Sequence, residues 1–262
     1  MPVLRLQQFT RLHPRVWSQQ ITIMERNIYG YDPQVEERTQ TKAFPALMQK
    51  VYLWMAMALA ITGLTAFYVA GNESLLYTIA NSRGLLWGLM IAEVGLVMWL
   101  SAGINRMSFA MAGVMFGVYA ILNGVTFSFI LLAYTMESIA TTFFVTAGTF
   151  GALSLFGLFT KRDLGAIGRF LFMALIGLII ATIVNMFVAS TAFEWALTYI
   201  GLFIFCGLTA YDTQMMKRIL AESESEGQTN LMKIALLCSL SLYLDFINMF
   251  LYLLRIFGDR RS

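Results

Sequence analysis

The chain has 262 residues, of which 58% are hydrophobic and 13% charged, with 18 basic against 15 acidic side chains and a net charge of +3; its mean hydropathy is +0.69. Soluble domains run to roughly 45–50% apolar and about 25% charged residues, so a water-soluble globule is excluded. The small net charge marks no nucleic-acid partner, and the composition fits an all-α, polytopic protein whose solvent is a lipid bilayer.

Residues 1–44 are polar and mixed in charge and read as a disordered cytoplasmic tail. They lack the apolar stretch of a secretory signal, and Met24 offers a second plausible start. The single histidine, His13, lies in this tail. No imidazole is therefore available in the apolar runs, which excludes a histidine metal site, a Ser–His dyad or an imidazole proton relay within the membrane.

A seven-span transmembrane domain is predicted over 45–258, followed by a short tail at 259–262. Its apolar runs are Val51–Ala70, Leu85–Ile104, Phe109–Tyr134, Ile139–Thr160, Phe170–Ala189, Trp195–Met216 and Ile234–Phe257. Each approaches the ~20 residues that cross hydrocarbon as a helix. Helix is the required conformation, because lipid offers no partner to a free N–H or C=O group. Trp54, Trp87, Tyr134 and Trp195 fall near run ends, as interfacial aromatics do. The glycines of Gly148-Thr-Phe-Gly151 suggest close helix approach, and Cys206 and Cys238, both in apolar runs, read as small packing residues.

The basic residues orient the chain. With a cytoplasmic N-terminus, Lys42, Lys50, Arg106, Lys161, Arg162, Arg169, Lys217, Arg218 and Lys233 share one side, and only Arg83 falls in a loop on the other. That asymmetry obeys the positive-inside rule and predicts cytoplasmic loops at 105–108, 161–169 and 217–233. The misfit is the C-terminus, where seven crossings put Arg255, Arg260 and Arg261 outside; a re-entrant last segment is the alternative. Arg255 itself reads as an end residue that snorkels to the interface.

Ionisable groups at mid-membrane cost roughly 2.5–3.5 kcal/mol on insertion scales. Three carboxylates stand out: Glu93 in the second run, Asp212 in the sixth and Asp245 in the seventh. The last two runs flank the polar segment from Glu222 to Asn230. A hairpin turning between Gln228 and Thr229 places Asp212 and Asp245 equally far from its tip, hence at similar depth. Cys238, Ser241, Asp245, Asn248, Tyr252 and Arg255 follow steps of three and four, which puts them on one helical face. Such a stripe turns toward a bundle interior or a water-filled path, where Asn123, Thr126, Thr182 and Asn185 are able to meet it. Helix-to-helix hydrogen bonding explains the asparagines and hydroxyls; it explains the aspartates poorly, since asparagine bonds helices without an ionisation cost.

The stretch from Ser239 through Asp245-Phe-Ile-Asn248 to Arg255-Ile-Phe-Gly258 closely resembles the final helix of the Bax inhibitor-1 family, the transmembrane Bax-inhibitor-motif proteins. Tyr211-Asp212-Thr-Gln resembles that family's sixth-helix motif, and the surroundings of Glu93 resemble its second helix. The resemblance covers about residues 40–258. It implies a seven-helix bundle with the last helix central, and a pH-sensitive calcium leak gated by two aspartates, matched here by Asp212 and Asp245. It further implies that Glu93 lies on the ion path, and that an arginine after the second helix pairs with the sensor, for which Arg106 is the candidate.

The expected function is thus a passive cation leak with calcium as permeant ion. Two nearby carboxylates in low dielectric resist ionising together and titrate as a pair. Deprotonation adds repulsion and frees oxygen ligands, which suit a hard cation such as calcium. Asp212, Asp245 and Glu93 are the expected transient calcium ligands, with Ser241 and Asn248 beside them on the path. No resident cofactor and no enzymatic activity are expected. The partners are the bilayer and cations, with further membrane proteins left open, and the location is a cell or, in a bacterium, inner membrane. A rival is an intramembrane aspartyl protease, whose dyad shares a proton. Against it, Asp245 lacks the Gly-x-Gly-Asp setting that gives backbone access, and no Pro-Ala-Leu element follows. A membrane-embedded regulator of other membrane proteins is the third reading.

Overall fold

The protein is described from a computed structural model. The described residues are 33–222 and 228–261, with side chains from residue 45 onward except 105 and 221–228. The tail before residue 33, with Met24 and His13, and most of the expected hairpin tip lie outside them. The unit Leu47–Ser262 carries the bundle.

Eight α-helices follow in order: α1 (Pro33–Ala70), α2 (Glu73–Asn81), α3 (Arg83–Gly103), α4 (Phe109–Ala133), α5 (Met136–Phe159), α6 (Gly165–Val188), α7 (Thr191–Glu222) and α8 (Gln228–Phe257). All but α2 contain a stretch long and apolar enough to span a membrane, as the sequence predicts. The described residues contain no strand, only one isolated β-bridge. The α1 helix begins within the segment read as tail, and α7 and α8 continue through most of the charged stretch 217–233. The connections on that side are therefore shorter than expected.

The α2 helix is a nine-residue addition that the loop-like stretch after Ala70 did not suggest. The Asn72 side chain caps it by accepting from Leu75 N–H, Glu73 occupies its first turn, and none of its residues is buried. It is too short to cross.

Most helices present apolar side chains outward, as lipid-facing surfaces do: Phe187 is 86% exposed and Phe159 78%. The α8 helix differs. Of its most apolar stretch 67% is buried, against 6% for α3 and for α6. It packs on α4, α5 and α7. Aromatic rings fix two of these contacts: Phe116 and Tyr119 of α4 meet Tyr243 edge-on, and Phe143 and Phe150 of α5 meet Phe246. Phe127 of α4 stacks on Phe250. The buried Tyr243 hydroxyl lies 2.8 Å from Thr62 Oγ1 of α1, which satisfies a phenol otherwise stranded among apolar groups.

The C-terminal arginines that depart from the charge pattern make contacts at this end of the bundle. The α8 helix is continuous from Gln228 to Phe257, long and apolar enough to span a membrane, and the tail after it docks on the α4–α5 turn. Thr135 N–H donates to Asp259 O (3.1 Å), Arg261 N–H to Ala133 O (3.0 Å) and Asp259 N–H to Ser138 Oγ (2.9 Å). Two of the three misplaced arginines have partners: Arg260 stands 6.0 Å over the Tyr134 ring, and Arg255 ion-pairs with Glu194 of α7. Arg255 is thus more than a snorkelling end residue.

At the opposite end, α7 grips the short α5–α6 connection. Gln214 accepts from Leu164 N–H and donates to Arg162 O, each at 2.8 Å. Lys217 donates to Leu158 O at 2.9 Å. The backbone N–H of Gly165 and the Arg218 guanidinium hold the Asp163 carboxyl below the ordinary carboxylate range.

Close helix approach occurs at Gly157, not at Gly148 or Gly151. A Cβ on Gly157 of α5 would lie 2.3 Å from Ala210 O of α7, whereas Gly148 and Gly151 have nothing within 4 Å. The neighbouring Thr213 hydroxyl of α7 reaches Ser154 Oγ at 3.4 Å. Gly157→Ala is expected to lower stability by about 1–3 kcal/mol through overpacking against backbone, while Gly148→Ala is neutral or slightly stabilising. Thermal unfolding of the two variants in detergent checks this; equal midpoints would show that the α5–α7 contact yields freely.

Candidate functional site

The polar stripe of α8 opens onto a cavity of about 1240 Å³ bounded by α3, α6, α7 and α8. Asp212, Ser241, Asp245, Asn248 and Tyr252 all line it. The α8 helix is two-faced because its sequence is: the residues between stripe positions are the aromatic and aliphatic ones that α4 and α5 bury. Gly168 on α6 admits the Tyr211 ring, which a Cβ there would meet at 2.3 Å. That contact seats the Tyr211-Asp212 turn of α7 against α6.

The aspartates share the cavity, as equal distance from the hairpin tip predicts, but they differ in their bonding. Asp212 Oδ2 accepts a 2.5 Å hydrogen bond from Ser241, one turn before Asp245. Asp245 is 4% exposed, and its Oδ2 is buried with no hydrogen-bond partner. Ser241 thus takes the place on Asp212 that a direct carboxyl–carboxyl bond would occupy. Asn248, which also lines the cavity, donates to Leu244 O within its own helix at 2.8 Å.

Glu93 is not among the cavity's lining residues. It is half-buried, and its Oε1 accepts from Thr126 of α4 at 2.5 Å. Among the described residues, no three His, Cys, Asp or Glu side chains converge as a metal would require, so the three carboxylates do not form one cluster. Arg106 is exposed, in the 3₁₀ turn Ile104–Arg106 after α3, and makes no ion pair among the described residues. Of the other polar residues singled out, Thr182 lines the cavity. Asn123 donates to Tyr119 O, and Asn185 Oδ1 accepts from Ser190 N–H at the end of α6.

Three features escaped the sequence. Arg169, counted only as a loop charge, is the basic residue lining the cavity. A second cavity of about 390 Å³ shares Thr182, Met186 and Tyr252 with the first and reaches the Glu194–Arg255 ion pair. Glu194 gave a signal only as a carboxylate in the first turn of a helix, a place where acids are common for dipole reasons alone.

Seven helices able to span a membrane, two of them carrying aspartates that line one cavity, define a polytopic integral membrane protein with a polar site within its helix bundle. The sequence model of the family described as "Inhibitor of apoptosis-promoting Bax1" matches residues 45–262, and the chain belongs to that family, the Bax inhibitor-1 family. Three bacterial relatives are similar over most of their length. The inner membrane protein YbhL of Escherichia coli K12 is 48% identical over 214 residues, covering 82% of this chain and 92% of the relative. A protein of Deinococcus radiodurans is 44% identical over 213 residues (81% and 90%), and one of Rickettsia prowazekii 40% identical over 229 (87% and 95%).

The Ser241 hydroxyl is the donor that satisfies Asp212. Ser241→Ala is expected to destabilise the bundle by about 1–3 kcal/mol, the cost of leaving a buried acceptor without its donor. Ser241→Thr keeps the hydroxyl and is expected to recover most of that loss. Thermal midpoints in detergent read both; an unchanged Ser241→Ala midpoint would mean that Asp212 does not depend on this bond.

Proposed function

We propose that the protein is a passive conduit for cations, with calcium the permeant ion and Asp212 and Asp245 a pH-responsive gate. The observation that carries this reading is the pair of aspartates from adjacent helices lining one cavity, with Asp245 Oδ2 left without a partner. A group this costly at such depth calls for a role that asparagine could not fill. With a proton on the pair, α7 and α8 stay in contact through the Ser241 bond. With both carboxylates ionised, repulsion loosens the contact and offers oxygens to a hard cation.

Ser241 and Asn248 supply further oxygens along the same face. Glu93 joins the path as α3 shifts against α4, a motion made easy by the shallow burial of α3. Arg169, exposed at the rim, is screened by water and does not close the path to cations. Family membership and the match of both aspartate motifs support the reading.

Purified protein in liposomes is expected to pass calcium faster as pH rises, because ionisation opens the gate. Asp212→Asn and Asp245→Asn are each expected to flatten that pH dependence, and the double variant to add little, the mark of two groups acting as one. Additive effects, or a flux independent of pH, would defeat the gate. Glu93→Gln is expected to reduce flux without loss of folding.

We further propose that the N-terminus and the α5–α6 connection are cytoplasmic. With Cys206 and Cys238 replaced, a cysteine at the exposed position 161 is expected to resist an impermeant reagent added outside intact cells and to react once the membrane is opened. Labelling from outside would invert the topology.

A further inference from the structure

The cavity that holds the two aspartates is open on one flank. Its far wall is made by Met90 and Val94 of α3 and by Phe172, Ile179 and Ile183 of α6. Each of these five side chains is more than half exposed at the molecular surface. All lie within the membrane-spanning parts of their helices. The α3 helix packs on α4, and α6 on α7, so the gap between α3 and α6 faces hydrocarbon. A buried carboxylate therefore stands at the back of a crevice whose mouth is apolar and whose entrance is the bilayer itself.

An inorganic cation gains nothing from such walls, because calcium asks for about six to eight oxygens. A cation carried on an apolar body gains from both ends. Its hydrocarbon part buries against the side chains of α3 and α6, and its charge meets the unpartnered oxygen of Asp245. A volume of about 1240 Å³ exceeds the ~300–1000 Å³ usual for sites that enclose drug-sized molecules. We propose that this crevice is a binding site for lipophilic organic cations that enter sideways from the membrane, with Asp245 as counter-charge and Asp212 beside it. The inference uses the aspartates of the proposed conduit but not conduction: a protein that leaks no calcium can still bind such a molecule.

Radiolabelled tetraphenylphosphonium is a suitable probe, measured by equilibrium dialysis against the full chain in nanodiscs, with protein-free nanodiscs subtracted. Saturable binding of about one probe per chain is expected. Asp245→Asn is expected to weaken it at least tenfold. Val94→Trp combined with Ile179→Trp, which fills the crevice from the lipid side and leaves both aspartates in place, is expected to abolish it. The neutral isostere tetraphenylsilane is expected to displace the probe poorly. Absence of saturable binding overturns the proposal, as does equal displacement by the neutral isostere, which would reveal an apolar crevice without a role for charge. Should Asp245→Asn fail to fold, the paired tryptophan variant and the neutral isostere decide the matter by themselves. Calcium flux is not read, so the outcome is independent of the leak.

Discussion

Asp245 sits at bilayer depth with one carboxylate oxygen that no donor reaches, and the bundle is arranged around tolerating it. The cost is met by concentrating it on one face of one helix. The other face of α8 makes up the difference by burying Tyr243, Phe246, Met249 and Phe250 against α4 and α5. Aromatic pairs contribute roughly 0.5–1.5 kcal/mol each beyond their buried area, so several of them together offset a penalty of about 2.5–3.5 kcal/mol for one charge-bearing group. The division of α8 into a ring-packed face and a polar face is therefore an energetic requirement as well as a pattern.

Uneven burial around the bundle follows from that requirement. The packed side, α4–α5–α7–α8, is tied by ring contacts, by the backbone approach at Gly157 and by the hydroxyls of Thr213 and Ser154. The cavity side is flanked by α3 and α6, which bury little and leave a gap between them. The rigid half holds the aspartates in place, while the helices that screen them are those most free to shift.

Much of this was legible in the sequence. Hydrocarbon thickness and the demand for backbone hydrogen bonds gave the seven spans, and 3.6-residue periodicity gave the polar face of α8. Distance from the hairpin tip placed Asp212 and Asp245 together. What stayed hidden depended on contacts between elements. Periodicity cannot say that Ser241, rather than Asp245, holds Asp212, nor that Glu93 turns toward Thr126. Glycine spacing pointed to Gly148 and Gly151, but only the crossing geometry of α5 and α7 selects Gly157. Arg255 and Arg260 looked like violations of charge asymmetry because a one-dimensional count sees neither Glu194 nor the ring of Tyr134.

The helix most enclosed by its neighbours is also the last of the seven in chain order, and this bears on how the protein is made. For spans that enter lipid in the order of their synthesis, Phe116, Tyr119, Phe143 and Phe150 lack the rings they pack against until α8 arrives. Assembly then requires the earlier spans to admit a late arrival instead of building outward from a finished centre. The docking of Asp259 and Arg261 onto the α4–α5 turn can form only once α8 lies alongside α4 and α5, so it is among the last contacts the chain is able to make. A chain ending before Gly258 would carry all seven apolar helices yet lack these hydrogen bonds to the α4–α5 turn.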